Sequence, residues 1–335
     1  MLQTLKGLIG LPVLAGIIYF GAQSLTFKIE ADLGESAGRT LSGLGEGLLH
    51  AKARASGRDV TIEGVAVSQA DRDKAMTAVS GLLGLARAID ATRLLETQRP
   101  FVLSLQRQGS RVAITGYVPP GEARAKLSQA LDRLGLEVED RVEWANGAPP
   151  VFASLAVFAS SQIGALDPGI AKLSDATLSL RGQARPGVDY GKFLVAAASP
   201  PVGAETIELE VAPADVSPFV LSAQSASGSL KLEGSAPYKD IGEIRGLTAN
   251  FFPAIAIRDA LAPAGGAPRE FSAAVAAGLR ALAELRQGDL VLSDRLVTLS
   301  GEVKPGASVG NALALALPQG YGLVLHLTAP VAGSP

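Results

Sequence analysis

The sequence predicts an α+β protein: an N-terminal transmembrane helix followed by tandem small (α)ββαβ modules, each a three-stranded sheet with one face covered by helices. Three observations predict it. The first is a charge-free run of 21 residues, Gly7 to Phe27. The second is a matched pair of segments 118 residues apart, Pro100–Ser104 and Pro218–Ser222, both reading Pro-Phe-Val-Leu-Ser. The third is a strand-like alternation on a glycine, found five times, at Gly64, Gly116, Gly182, Gly234 and Gly301.

Taken as a helix, the charge-free run is about 31 Å long, enough for a hydrocarbon core of roughly 30 Å. Lys6 precedes it, and Glu30, Asp32 and Glu35 follow it closely. The positive-inside rule then puts the N-terminus in the cytoplasm and the bulk of the chain in the periplasm, as a single-pass protein of a bacterial inner membrane. The competing reading is a cleaved signal peptide. Phe20, in Phe20-Gly21-Ala22, is too large for the small residue a cleavage site needs there.

The five glycines are spaced by 52, 66, 52 and 67 residues. Such alternation implies two module types, a longer A and a shorter B, in the order A-B-A-B-A. The boundaries follow: 1–28 for the cytoplasmic stub and anchor, 29–98 for A1, 99–147 for B1, 148–215 for A2, 216–265 for B2 and 266–335 for A3. The extra residues of A read as a leading helix, about Leu33 to Leu49, Val151 to Leu166 and Glu270 to Gln287.

Around each glycine one face is apolar, as in Val60-x-Ile62-x-Gly64-x-Ala66 and Leu178-x-Leu180-x-Gly182-x-Ala184, while alternate positions such as Thr61, Glu63, Ser179 and Arg181 are polar. Period two gives a covered face and a wet face. Glycine inside a strand needs a reason, and the expected one is a helix crossing the sheet closely above it. Pro119-Pro120-Gly121, Pro186-Gly187 and Pro305-Gly306 each lead into a helix. Third strands follow, at Glu137–Trp144, Glu205–Ala212, Ala254–Leu261 and Gly322–Thr328.

Composition narrows the chemistry. With 47% hydrophobic and 19% charged residues the chain can bury cores. A net charge of −2 gives no basic surface for nucleic acid. The absence of cysteine excludes disulfides and cysteine-held metals. His50 and His326 have no second ligand at metal spacing, so no metal or cofactor is expected. Gly306-Ala307-Ser308-Val309-Gly310 fits the hydrolase elbow G-x-S-x-G. The A2 equivalent, Gly187-Val188-Asp189-Tyr190-Gly191, has Asp in place of Ser, which suits a helix cap and not a nucleophile. A hydrolase using Ser308 is therefore the weakest function class, and no catalytic residue is assigned. In the first module, basic residues including Lys52, Arg54 and Arg58 are candidates for contact with anionic lipid headgroups.

The phrases Arg58-Asp59-Val60-Thr61-Ile62-Glu63-Gly64 and Arg111-Val112-Ala113-Ile114-Thr115-Gly116-Tyr117-Val118-Pro119 resemble the BON domain of bacterial envelope proteins. The layout resembles alphaproteobacterial OmpA/MotB-family proteins with an N-terminal anchor and tandem BON-like repeats, without the OmpA-like peptidoglycan-binding domain that usually ends them. The resemblance implies a periplasmic location and a part in envelope integrity or phospholipid contact. The function expected is that of a non-catalytic envelope scaffold that self-associates or binds other envelope proteins. A phospholipid-binding protein is the alternative.

Overall fold

The computed structural model describes residues 27–329. Within them, every module is built as a ββαβ unit. An antiparallel hairpin is followed by a crossover helix and a third strand parallel to the second. A1 contains β1 (Leu48–Ser56), β2 (Asp59–Ala66), α2 (Gln69–Ser80) and β3 (Arg87–Leu94), preceded by helix α1, residues 27–42. B1 contains β4 (Val102–Gln108), β5 (Arg111–Val118), α3 (Ala123–Asp132) and β6 (Glu137–Trp144). A2 contains α4 (Phe152–Ile163), β7 (Leu166–Ser174), β8 (Thr177–Ala184), α5 (Tyr190–Ala197) and β9 (Thr206–Ala212). B2 contains β10 (Val220–Ala226), β11 (Ser229–Pro237), α6 (Ile241–Phe251) and β12 (Ala256–Ala264). A3 contains α7 (Phe271–Ala283), β13 (Leu285–Ser293), β14 (Leu296–Val303), α8 (Val309–Ala316) and β15 (Gly322–Thr328).

The expected architecture needs two corrections. First, the modules do not each carry a separate three-stranded sheet. The described residues form three sheets: β1-β2-β3, then six strands in the order β6-β5-β4-β7-β8-β9, then six in the order β12-β11-β10-β13-β14-β15. Each B module joins the following A module through its first strand, antiparallel. Leu105 faces Ala171 across β4 and β7, and Ala223 faces Leu290 across β10 and β13. The cause is edge chemistry: a lone first strand exposes a row of backbone donors and acceptors, and pairing two of them satisfies both rows. Second, no helix among the described residues is long and apolar enough to cross a membrane. The transmembrane-helix architecture and the single-pass inner-membrane location built on it are corrected to that extent: no described helix supplies them. The predicted span, 7–27, lies outside the described residues except for Phe27.

The B–A joint has its own side chains. Phe101, at the start of β4, is fully buried and meets Phe152 of α4 edge-on, with centroids 4.9 Å apart and planes at 82°. Phe219 and Phe271 repeat this in the third sheet at 4.8 Å and 78°. The backbone N–H of Phe101 donates to Asp175 Oδ1 at 2.9 Å in the β7–β8 turn, and that of Phe219 donates to Asp294 Oδ1 at 2.8 Å. Both aspartates sit at positive φ, 52° and 49°, a backbone state their short side chains tolerate. In the second sheet Arg107 adds a further tie. Its side chain is 4% exposed, and Nη1 donates to the carbonyl of Gly164 at 2.7 Å, just past the C-terminus of α4, where a cation is favoured.

The five repeat glycines lie in strands β2, β5, β8, β11 and β14, with φ between 101° and 145°. The reason for glycine differs from a crossing helix. A Cβ at Gly182 would stand 2.3 Å from the carbonyl oxygen of Pro168, on the adjacent strand. At Gly116, Gly234 and Gly301 the nearest atom is likewise a neighbouring-strand carbonyl at 2.3 Å, and at Gly64 it is that of Leu49 at 2.9 Å. Backbone conformation and strand-to-strand approach both demand glycine here, and no helix is involved.

A helix-to-strand ion pair recurs in three modules: Arg72 with Asp90 at 2.5 Å, Arg124 with Asp140 at 2.7 Å, and Arg245 with Asp259 at 2.5 Å. The other oxygen of each aspartate accepts the N–H two residues on, from Thr92, Val142 and Leu261. In A2 and A3 the same register position holds Leu209 and Leu325, so the pair is absent there. Burial pushes the Asp90 carboxyl up, but bonds from Thr92 and from Arg72 together hold it below its ordinary 3.8. A carboxyl lowered in the folded state stabilises above its unfolded pKa, and the contribution is lost as pH falls through the folded value. Hydrogen exchange of β3 across a pH series should therefore show wild type better protected than Asp90→Asn at neutral pH. The difference should begin to shrink as pH falls below about 3.8 and go on shrinking toward the folded value, which lies lower. A difference that persists unchanged at lower pH would rule out the carboxylate as its source.

Candidate functional site

Edges distinguish the three A modules. β7 and β13 are interior strands, each covered by the first strand of the preceding B module. Their counterpart β1 has no such partner among the described residues and forms the edge of the first sheet. Burial records the difference. Ala171 and Leu173 of β7 are fully buried, as are Leu290 and Leu292 of β13, whereas the matching Ala53 and Ala55 of β1 are only half-buried.

The residues that make a B–A joint are missing from A1. At 118 residues before Phe152 stands Gly34, and 118 before Asp175 stands Gly57. Gly38, one turn beyond Gly34 on α1, has open space where a side chain would go, and a Cβ on Gly34 would reach only Ala55 Cβ, at 3.8 Å. The flank beside β1 is therefore shallow and lined by small residues: Gly34, Gly38, Ala51, Ala53 and Ala55. A covering strand could bring larger apolar side chains there than a B module does, because the Phe152 equivalent is absent.

The opposite face of β1 is cationic. Lys52 and Arg54 are exposed and neighbours by the period of two. The carboxylate near them is Glu63 of β2, which faces Lys52 in register and lies 3.4 Å from Arg54. On the same face β3 adds Arg87 and Arg93. The structure thus brings Lys52 and Arg54 together but sends Arg58 to the hairpin turn, where its Nε donates to the carbonyl of Gly84 at 2.7 Å. The edge and its shallow flank are not readable from sequence. The one available signal was the missing phenylalanine and aspartate of the 118-residue register.

The remaining candidates separate. His50 lies inside β1 at φ 51°, beside the irregularity in the β1–β2 register. His326 is exposed on β15. Among the described residues no group of three or more side chains is placed to hold a metal. Ser308 is the N-cap of α8 and is exposed, and its side chain makes no capping hydrogen bond. Its equivalent Asp189 does cap, accepting the N–H of Lys192 at 3.0 Å, and is held below the ordinary carboxylate range by that bond and by the Lys192 ammonium.

No family model matches the chain, and no curated protein matches it. The BON, OmpA and envelope terms taken from the sequence resemblance are corrected accordingly: they have no family match behind them. Among solved structures, the chain is similar to the C-terminal domain of CdsD, the structural protein of the type III secretion system of Chlamydia trachomatis. The identity is 14%, the match covers 54% of this chain and 96% of that one, and the TM-score is 0.19. A superposition that loose carries no argument about function.

Proposed function

We propose that this chain is a non-catalytic scaffold that joins protein chains, with the open β1 edge of its first module as the docking element. The observation that carries the reading is internal to the molecule. The same strand in A2 and in A3 is covered by an antiparallel neighbour, and in A1 it is not, among the described residues. An uncovered edge with a half-buried apolar side is an acceptor for strand addition, in which main-chain bonds give affinity and alternate side chains give specificity.

Hydrogen exchange tests this directly. In dilute solution the amides of Ala51–Ser56 should exchange about tenfold faster or more than those of Gly169–Ser174, and they should gain protection in any complex the chain forms. Equal protection of the two strands at high dilution would mean that the edge is already covered, and the reading fails. The competing hydrolase reading makes the opposite demand on Ser308. Ser308→Ala should leave ester hydrolysis at the buffer rate, as in wild type, and any Ser308-dependent turnover would overturn the non-catalytic assignment.

A further inference from the structure

We infer that the strand received by β1 is β9 of a second copy, paired antiparallel with Lys52 opposite Glu210 and Arg54 opposite Glu208 of that copy. This rests on the scaffold reading above and names its partner.

Charge selects the occupant. Two β1 strands paired with each other, helices on the same side, would set Lys52 against Arg54 or Arg54 against itself, and like charges directly opposite are unfavourable. The segments outside the described residues cannot supply the counter-charge, since 1–26 and 330–335 contain no acidic residue. The acid must come from another chain, and this chain offers it on its own edges.

Among the described residues the sheet edges other than β1 are β3, β6, β9, β12 and β15. β3 presents Arg87 and Arg93 on the wet face, β12 presents Arg258, and β15 has no carboxylate. β6 is acidic, but Arg141 interrupts its wet face and Asp140 lies on its helix side, tied to Arg124. On β9 the pattern is Ile207-Glu208-Leu209-Glu210-Val211. Its two glutamates are exposed on one face, Glu210 lying 3.0 Å from Arg181 of β8 and Glu208 in no ion pair among the described residues, and three apolar residues, half-buried or buried, lie on the other.

The register then matches on both faces at once. With Lys52 against Glu210 and Arg54 against Glu208, the small Ala51, Ala53 and Ala55 face Val211, Leu209 and Ile207 of the second copy. Large against small is also how β4 meets β7, where Leu105 opposes Ala171. Such a contact is heterologous: it uses one surface from each copy and leaves a free β1 and a free β9 at the ends. It therefore extends head to tail until a ring closes or the supply ends.

The test is sedimentation of the full chain over a concentration series, in a mild non-ionic detergent so that the uncharged run 7–27 does not itself drive association. Wild type should show concentration-dependent growth. Arg54→Glu and Glu208→Arg should each weaken it about tenfold or more, since each turns an opposed pair into a like pair. The chain carrying both substitutions should associate as wild type does, which also shows that the single variants failed by charge and not by unfolding. A monomeric wild type, growth insensitive to either single change, or no restoration in the double variant would each overturn the inference. Protection of the β1 amides in a complex that ignores Glu208→Arg would leave the docking edge standing and remove only β9 as its occupant.

Discussion

Phe101→Ala is expected to cost about 3–5 kcal/mol and to loosen the second sheet selectively. The ring is fully buried, packs edge-on against Phe152 and lies 6.2 Å from the ring of Tyr117. Truncation leaves a void between β4, β5 and α4, three elements that cannot close on it without breaking the β4–β7 ladder. Phe152→Ala removes the same contact from the other side, so the double variant should lose clearly less than the two single losses added. Hydrogen exchange resolves where the loss falls: β4 and β7 should lose protection, while β1 to β3 should not change, because that module has Gly34 where the ring would be. A loss under about 1 kcal/mol, or one spread evenly over the three sheets, would mean that the six strands are not held as a unit by this joint.

Gly182→Val is expected to destabilise by about 3 kcal/mol or more, against a near-zero effect for its neighbour Arg181→Val. Two costs combine. At φ 142° a side chain is strained, by about 1–3 kcal/mol. A Cβ 2.3 Å from the Pro168 oxygen and 2.8 Å from the Gly169 Cα must also push the hairpin apart, at a similar cost. Arg181 is exposed, and its pair with Glu210 at 3.0 Å is a surface one, worth about 0–1 kcal/mol and offset by the strand preference of valine. Gly182→Ala sharpens the comparison. If the first side-chain carbon is what collides, alanine should cost nearly as much as valine. If a helix lay above the glycine, alanine would be mild and valine severe. Chemical denaturation of the three variants decides it.

Much of the local structure is legible in the alternation of side chains. Glu137–Trp144 and Gly322–Thr328 are read as third strands, and β6 and β15 cover those residues. Period two is imposed by the pleat itself, so sequence carries it directly. What joins one module to the next is carried by backbone bonds between β4 and β7, and backbone is the same at every residue. Its trace in the sequence is indirect: Phe101 with Phe152, and Phe219 with Phe271, aromatic pairs whose members lie 51 and 52 residues apart. The glycines show the same limit. A gap in a strand's apolar face says that something comes close, but not whether it is a helix above or a strand alongside. At the candidate site Lys52 and Arg54 are visible as charges, yet nothing in their neighbourhood says that β1 is an edge.

The joints between the modules have a consequence for how this chain could change its length. Thr97 bridges to Asn146 where A1 gives way to B1, and Asp215 bridges to Gly265 where A2 gives way to B2, corresponding partners that stand 118 and 119 residues apart. Asn146 secures the first joint further, its side-chain amide donating to the carbonyl of Val67 at 2.7 Å. A B–A pair is thus bounded by equivalent seams, while each of its halves alone would expose the strand that the other half hides. Duplication or loss of a whole pair would create no new type of seam, whereas gaining or losing a single module would strand an edge. Length in chains of this build should accordingly step by about 118 residues, and A1, whose first strand no B module covers among the described residues, is the module that stands outside this counting.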